Sequence, residues 1–388
     1  MTIAFLLTNK NCDTLGVVDA YNRYSRELER GSNLGNFAFK YGASLLFDEQ
    51  LKLFTYDDDA EVINEECSAV ILPEANLVNP KVNYGKPAAF LEKISKPCWA
   101  MGIGSQAELE NQEIELQEGT IRYLKILAEK SRAIFCRCKF TYEQLNKIGI
   151  HNVEIAGCPS YLINPSQNLW KNLLIKSRKQ NIKKIGLTEG SYNFKGDPVR
   201  KKLERLLLDM VFYCGCYYIS QTQKGVIQHS LPVKPENFEQ IQRKMRNVMA
   251  PKLSQEDFNA IAKSRFLAFW RIDLWLAALS NMDFVTGTRI HGNVLALQAK
   301  TPAIPIVHDS RTLGLCETLK IPYTHINDTL NWSSPSEVIS QLDVVWKGIS
   351  SQELDNHRCQ LANKYLANIL EMDLKPSSHL LHLASGFS

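Results

Sequence analysis

The 388-residue sequence predicts an α/β fold built on parallel sheets. Three observations predict it. Short apolar runs bounded by glycine alternate with stretches of helical period, as in parallel-sheet proteins. The alternation runs in two series, each long enough for a core of its own. Between them lies a polar, basic stretch, Asn164 to Asn181, suited to a connection. The expectation is two Rossmann-like domains with a cleft between them: residues 1–170, residues 181–345, then a C-terminal helix and tail at 346–388.

The first series begins with strand Ile3–Leu7, whose run is too short and lacks the basic start of a signal peptide. G-S-N-L-G-N at 31–36 then leads into a helix through Phe37, Tyr41 and Leu45. Glycine lets backbone N–H groups approach a ligand there, and Asn33 or Asn36 either caps the helix or bonds a sugar hydroxyl. Asp57, Asp58 and Asp59 are followed by no histidine or cluster of further carboxylates and read as a solvated turn. Ala69–Leu72 and Cys98–Ile103 are continuous apolar runs, as strands covered on both faces should be. The second ends in G-I-G-S-Q, placing Gln106 at the strand's carboxyl end as a candidate acceptor contact. A helix with Ile121, Leu124 and Leu127 on one face precedes strand Ala133–Cys136, which delivers Arg137. Helix Thr141–Ile148 and strand Val153–Ala156 complete the series.

The second series opens with strand Lys184–Thr188, followed by Glu189, a carboxylate facing the cleft and able to activate a hydroxyl. Helix Val199–Met210 and strand Cys216–Ser220 follow, the strand ending in S-Q-T-Q. Trp270 and Trp275 sit in an apolar helical stretch and read as core. The richest segment is D-F-V-T-G-T-R-I-H-G-N-V-L-A-L-Q-A-K-T-P-A-I-P-I-V-H-D-S-R, Asp283 to Arg311. It gives a strand at Phe284 and Val285, a turn at Gly287, a helix through Val294, Leu295 and Leu297, and strand Ala303–Val307. Arg289, His291 and Asn293 fall between strand end and helix start, where open α/β sheets bind ligands and helix ends favour anions. His308, Asp309 and Arg311 close the next strand on the same edge. Guanidinium forks match carboxylate and phosphate, and an imidazole moves protons near neutrality, so these residues predict an anion site with a proton shuttle. Ser334-Pro335-Ser336-Glu337 starts a helix, and a last helix, about Ser351–Met372, precedes a loose tail.

Composition narrows the function. A formal charge of +4 suits an anionic small ligand but is too weak and dispersed for nucleic acid. No apolar run approaches the ~20 residues of a membrane span. The lysines near 176–184 read as a solvated surface, with peripheral membrane contact as the other reading. Ten scattered cysteines, among them Cys136/Cys138 and Cys214/Cys216, lack zinc spacing and read as buried thiols of a cytoplasmic enzyme, without a structural metal.

The run G-T-R-I-H-G-N with K-T-P-A-I-P-I-V-H-D-S-R-T resembles the polysaccharide pyruvyl transferase family, which carries an Arg-aliphatic-His signature here. The strand–Arg137–helix–strand block resembles a second family region, and the run at 31–36 a third. The resemblance implies a GT-B-like fold, phosphoenolpyruvate as donor co-substrate rather than a bound cofactor, and a sugar or glycan acceptor, free or lipid-linked. It implies His291 as general acid with Arg289 beside it. Arg137, Arg289, Gly292, Asn293, His308 and Arg311 would bind the donor, and Asn33, Asn36, Gln106 and Glu189 the acceptor. The sequence departs from the family's acids at Asn36, Cys138, Cys158 and Gly314. Two other readings stand beside this one: a GT-B glycosyltransferase using a nucleotide sugar, and a catalytically silent glycan-binding relative. Neither the acceptor sugar nor the oligomeric state is legible.

Overall fold

The structure is a computed structural model describing residues 2–7, 33–106, 114–178, 181–190, 197–231 and 234–386. Strands β1 (Thr2–Leu7), β2 (Gln50–Thr55), β3 (Ala69–Pro73), β4 (Cys98–Ile103), β5 (Ile134–Cys136) and β6 (Val153–Ile155) form a sheet ordered β2-β1-β3-β4-β5-β6. Strands β7 (Ile185–Thr188), β8 (Tyr217–Ile219), β9 (Phe266–Leu267), β10 (Phe284–Gly287), β11 (Ala303–Val307) and β12 (Thr324–His325) form a second, ordered β12-β11-β10-β7-β8-β9. Every strand pair within both sheets is parallel. The molecule is thus two Rossmann-like domains.

The apolar runs became strands because helices cover both faces of each sheet. β3, β4 and β11 are buried at every position, which only residues without polar side chains tolerate cheaply. β2, β9 and β12 escaped the sequence reading. β2 alternates between exposed and half-buried over Gln50–Leu53, and the other two have only two residues each. Side-chain caps fix several helix starts. Asp59 accepts from Glu61 N–H, and Ser334 with Glu337 forms the expected capping box.

The connection and the tail differ from expectation. Leu169–Ser177 inside the polar connection is a helix, held because Leu169, Trp170 and Leu173 are buried. Beyond Pro376 the chain is not loose: Ser378–Ala384 is a helix with Leu380 and Leu383 buried. It packs with helix Ser351–Glu371 on the first sheet, joining Ile3, Phe5, Trp99 and Phe135 in one core. The C-terminus therefore returns to the domain where the chain began.

Order within the second sheet positions the site. From β7 the chain moves outward through β8 and β9, then comes back to β10 on the other side of β7. The order reverses between β7 and β10, and ligands of open α/β sheets bind at the carboxyl ends of such a pair. Glu189 follows β7 there and Thr288-Arg289 follows β10.

Candidate functional site

Close packing shapes the turn after β10. Gly287 has φ +133°, and a Cβ on it would meet the Thr188 carbonyl oxygen at 2.3 Å, so only glycine passes so near β7. Helix Ile290–Gln298 starts immediately afterwards, with Arg289 as its N-cap residue. A Cβ on Gly292 would fall 2.6 Å from Thr188 Cγ2. That glycine lets the helix start sit against β7.

A cleft with about 580 Å³ of empty space, part of it open solvent, lies between the two domains. The first domain contributes Asn33, Asn36, Ala75, Asn76 and Arg137, and the second Gln221, Arg289, His291, His308 and Arg311 among others. Among the described residues three arginines and two histidines line it, and none of those lining it is acidic.

Arg137 is 8% exposed, and its Nε and one terminal nitrogen have no hydrogen-bond partner among the described residues. Its guanidinium lies 5.4 Å over the Phe39 ring. Arg289 donates from Nη2 to Thr222 Oγ1 at 2.9 Å, while its buried Nε is also without a partner. Arg311 is committed to Asp309, with Nε 3.1 Å from Oδ2. Nδ1 of His308 meets no partner at hydrogen-bond geometry among the described residues. Burial pushes its pKa below the usual histidine value, against the opposing pull of Asp309.

His291 is buried at the cleft wall, 5.9 Å from the Phe39 ring and with Nε2 3.7 Å from Cys158 Sγ. Burial first, then the charge of Arg137, push its pKa down to about 3. In the free protein the imidazole is therefore neutral at neutral pH. It can accept a proton or donate its own N–H.

Other expected residues lie elsewhere. Glu189 is fully buried rather than facing the cleft. Its carboxylate accepts from Ser220 Oγ, Thr222 N–H at 2.6 Å, Thr222 Oγ1 and Gln223 N–H at 3.3 Å, and stands 3.9 Å from Arg289. Its oxygens are taken, so it positions Arg289 and the Thr222 turn instead of meeting an acceptor. Asn293 is also fully buried, with Nδ2 donating to Thr188 Oγ1, the Gly287 carbonyl and the Arg289 carbonyl at 2.9–3.1 Å. Its main-chain N–H is spent on the Arg289 carbonyl at 3.4 Å. Its Oδ1 has no partner among the described residues, but the side chain is fully buried and is not among those lining the cleft, so Asn293 braces the turn. Gly292 acts by lacking a side chain and does not itself line the cleft. Gln106 is not a lining residue either; its Oε1 accepts from Asn79 at 3.2 Å.

Asn33 and Asn36 do line the cleft, and Asn33 Oδ1 accepts from Gly35 N–H at 2.9 Å. Sequence reasoning missed Asn76, Gln221 and Thr222. The polar run S-Q-T-Q after an apolar strand was the available signal for two of them. Two departures from the family's acids touch: a Cβ on Gly314 would come within 2.9 Å of Cys138 Sγ. The absent acids are thus replaced by a close contact between helices Lys139–Lys147 and Ser310–Leu319.

Among the described residues no group of three or more His, Cys, Asp or Glu side chains is arranged to hold a metal ion, and no helix is long and apolar enough to cross a membrane. The sequence model of the family described as "Polysaccharide pyruvyl transferase" matches residues 12–310. The chain belongs to the polysaccharide pyruvyl transferase family. It is accordingly a transferase. No curated protein sequence matches it. Among solved structures, UDP-N-acetylglucosamine 2-epimerase from Rickettsia bellii is 11% identical, covers 96% of each chain and gives a TM-score of 0.44. The UDP-GlcNAc 2-epimerase of Methanocaldococcus jannaschii is 8% identical, covering 94% of this chain and 100% of that one, with a TM-score of 0.40. A putative UDP-N-acetylglucosamine 2-epimerase from Listeria monocytogenes is 10% identical, covering 97% and 98%, at 0.41. Overlap this loose carries no weight for chemistry.

Proposed function

We propose that this family member moves the pyruvyl group of phosphoenolpyruvate onto two hydroxyls of a sugar or glycan, forming a ketal. One observation carries the reading: among the described residues three arginines and no acidic side chain line the cleft, and two of the arginines keep buried donors unpartnered there. Unsatisfied cationic donors in a low-dielectric site are costly until an anion completes them. Phosphoenolpyruvate offers a carboxylate and a phosphate on three carbons, enough for Arg137 and Arg289 together.

His291 supplies the proton chemistry. The bound donor offsets the charge of Arg137 and also sets its own negative charge beside the buried imidazole, which favours the charged form against the burial, so His291 takes up a proton as the donor binds. It then protonates the methylene carbon, turning it into a methyl group, while a sugar hydroxyl adds to the central carbon. The proton lost from that hydroxyl returns to the imidazole. Phosphate leaves, the second hydroxyl adds in its place, and its proton departs with the phosphate. No metal is required by this balance, because the guanidinium groups neutralise the phosphate.

A thermal-shift comparison tests the reading. Phosphoenolpyruvate should raise the melting temperature where UDP-sugars do not; at 100 times its dissociation constant a ligand adds ~2.7 kcal/mol. A response to UDP-sugars alone would turn the assignment to a nucleotide-sugar glycosyltransferase. Binding of glycans with no donor consumed would make it a silent binding protein.

A further inference from the structure

Gln221 follows β8, is 1% exposed and lines the cleft, yet its Nε2 has no hydrogen-bond partner among the described residues. Its side chain is wedged between glycines from the two domains. A Cβ on Gly35 would lie 2.2 Å from its Oε1, and one on Gly292 2.9 Å from its Nε2. Its main-chain carbonyl accepts from Leu34 N–H at 3.0 Å. One residue of the second sheet thus reaches both the loop of Asn33 and the helix start that carries His291.

The fold has no use of its own for this amide. An apolar side chain of equal size would fill the gap between the glycines without stranding a donor, and buried polar atoms are normally partnered. No acceptor for it stands among the described residues, which leaves the contents of the cleft to supply one. Nε2 shares the cleft with the unpartnered nitrogens of Arg137 and Arg289, so that acceptor is an oxygen of the same anion.

We infer that Gln221 is a donor-binding residue: its Nε2 hydrogen-bonds an oxygen of the anion held by Arg137 and Arg289, while its carbonyl ties that subsite to the Asn33–Asn36 loop. This rests on the cleft being the donor site. A neutral amide adds direction rather than charge. Guanidinium forks supply the charge and orient the group they pair with, and a single donor fixed between two glycines adds a further point that favours the orientation whose oxygen meets it. The contact exists before and during reaction, so its loss raises the donor KM more than it lowers kcat.

The experiment measures inorganic phosphate and phosphoenolpyruvate binding by calorimetry on the full chain, for wild type, Gln221→Leu and Gln221→Glu. Gln221→Leu should bind both probes 10- to 100-fold more weakly while melting at or above the wild-type temperature without ligand. Gln221→Glu should bind more weakly still, because it sets a carboxylate against the anion. Should Gln221→Leu fail to fold, Gln221→Asn, which withdraws the same amide by one methylene, should show the loss. Binding within twofold of wild type in the variants overturns the inference. Phosphate bound by wild type without phosphoenolpyruvate removes the pyruvyl reading but leaves Gln221 judged by its phosphate ratio. Wild type that binds neither removes both.

Discussion

Nε2 of His291 faces Cys158 Sγ at 3.7 Å, so the imidazole has a thiol where the family resemblance expects an acid. A carboxylate there would favour the charged imidazole; a thiol leaves burial and Arg137 unopposed, and the pKa falls to about 3. The Cys158→Asp variant should therefore raise the pH at which His291 titrates. An NMR titration of the ring reads this directly, and an unmoved value would detach Cys158 from the histidine.

Stability should carry the same signature. An unfolded histidine titrates near ~6.5, whereas His291 titrates at about 3 and His229 at about 4, both lowered chiefly by burial. Between those values the unfolded chain binds more protons than the folded one, so stability falls as pH drops from ~6.5 toward 3. Each such histidine adds up to about 1.4 kcal/mol per pH unit to that slope. His291→Asn should flatten it by one share, measured by urea unfolding at several pH values.

In the proposed function the burial of Arg137 serves a ligand rather than the fold. Replacing it with Met removes a buried, incompletely paired cation and keeps the stem that packs beside Gly104, 3.2 Å from where its Cβ would lie. The variant should be as stable as wild type or more so, and bind phosphoenolpyruvate at least ~10-fold more weakly. Calorimetry and thermal melts check the two halves of that statement. A destabilised variant with normal binding would make Arg137 a structural residue.

Glu189→Gln separates positioning from catalysis. The carboxylate accepts from Ser220, Thr222 and Gln223 and faces Arg289. Glutamine puts an NH2 where one of these donors points, at a loss of about 3 kcal/mol in chemical denaturation. Activity should fall through a raised donor KM as Arg289 shifts. An unchanged stability with a collapsed kcat would restore Glu189 to the reacting centre.

These residues also mark what the sequence could and could not reveal. Arg289, His291, His308 and Arg311 were legible because each ends or follows an apolar run whose direction in a parallel sheet is forced. Glu189 and Asn293 shared that position and were misread. Whether a strand-end side chain points into the cleft or back into the protein depends on partners far along the chain, such as Thr222 for Glu189 and Thr188 for Asn293. The helix Ser378–Ala384 looked loose for a similar reason: its apolar stripe is short, and the surface that buries it lies in the first sheet.

Arg358 shows how the connection between the domains is fastened. It is 1% exposed on helix Ser351–Glu371, and its guanidinium donates to the carbonyls of Tyr161 at 3.2 Å, Ser166 at 2.6 Å and Asn164. One turn earlier, Asp355 accepts from the N–H groups of Trp170 and Lys171 at 2.9 and 3.3 Å. The pair clamps the connection between domains from both sides. Arg358→Met would strand three carbonyls at once, and Arg358→Lys could satisfy only part of the set because an ammonium cannot match the fork. Loss of about 3 kcal/mol or more is expected for Met and a smaller loss for Lys, read by urea unfolding. Where the folded variants can be assayed, donor KM should rise, since Arg137 and Arg289 lie on opposite sides of the loosened joint. Met and wild type unfolding at the same urea concentration would show that the connection holds without the clamp.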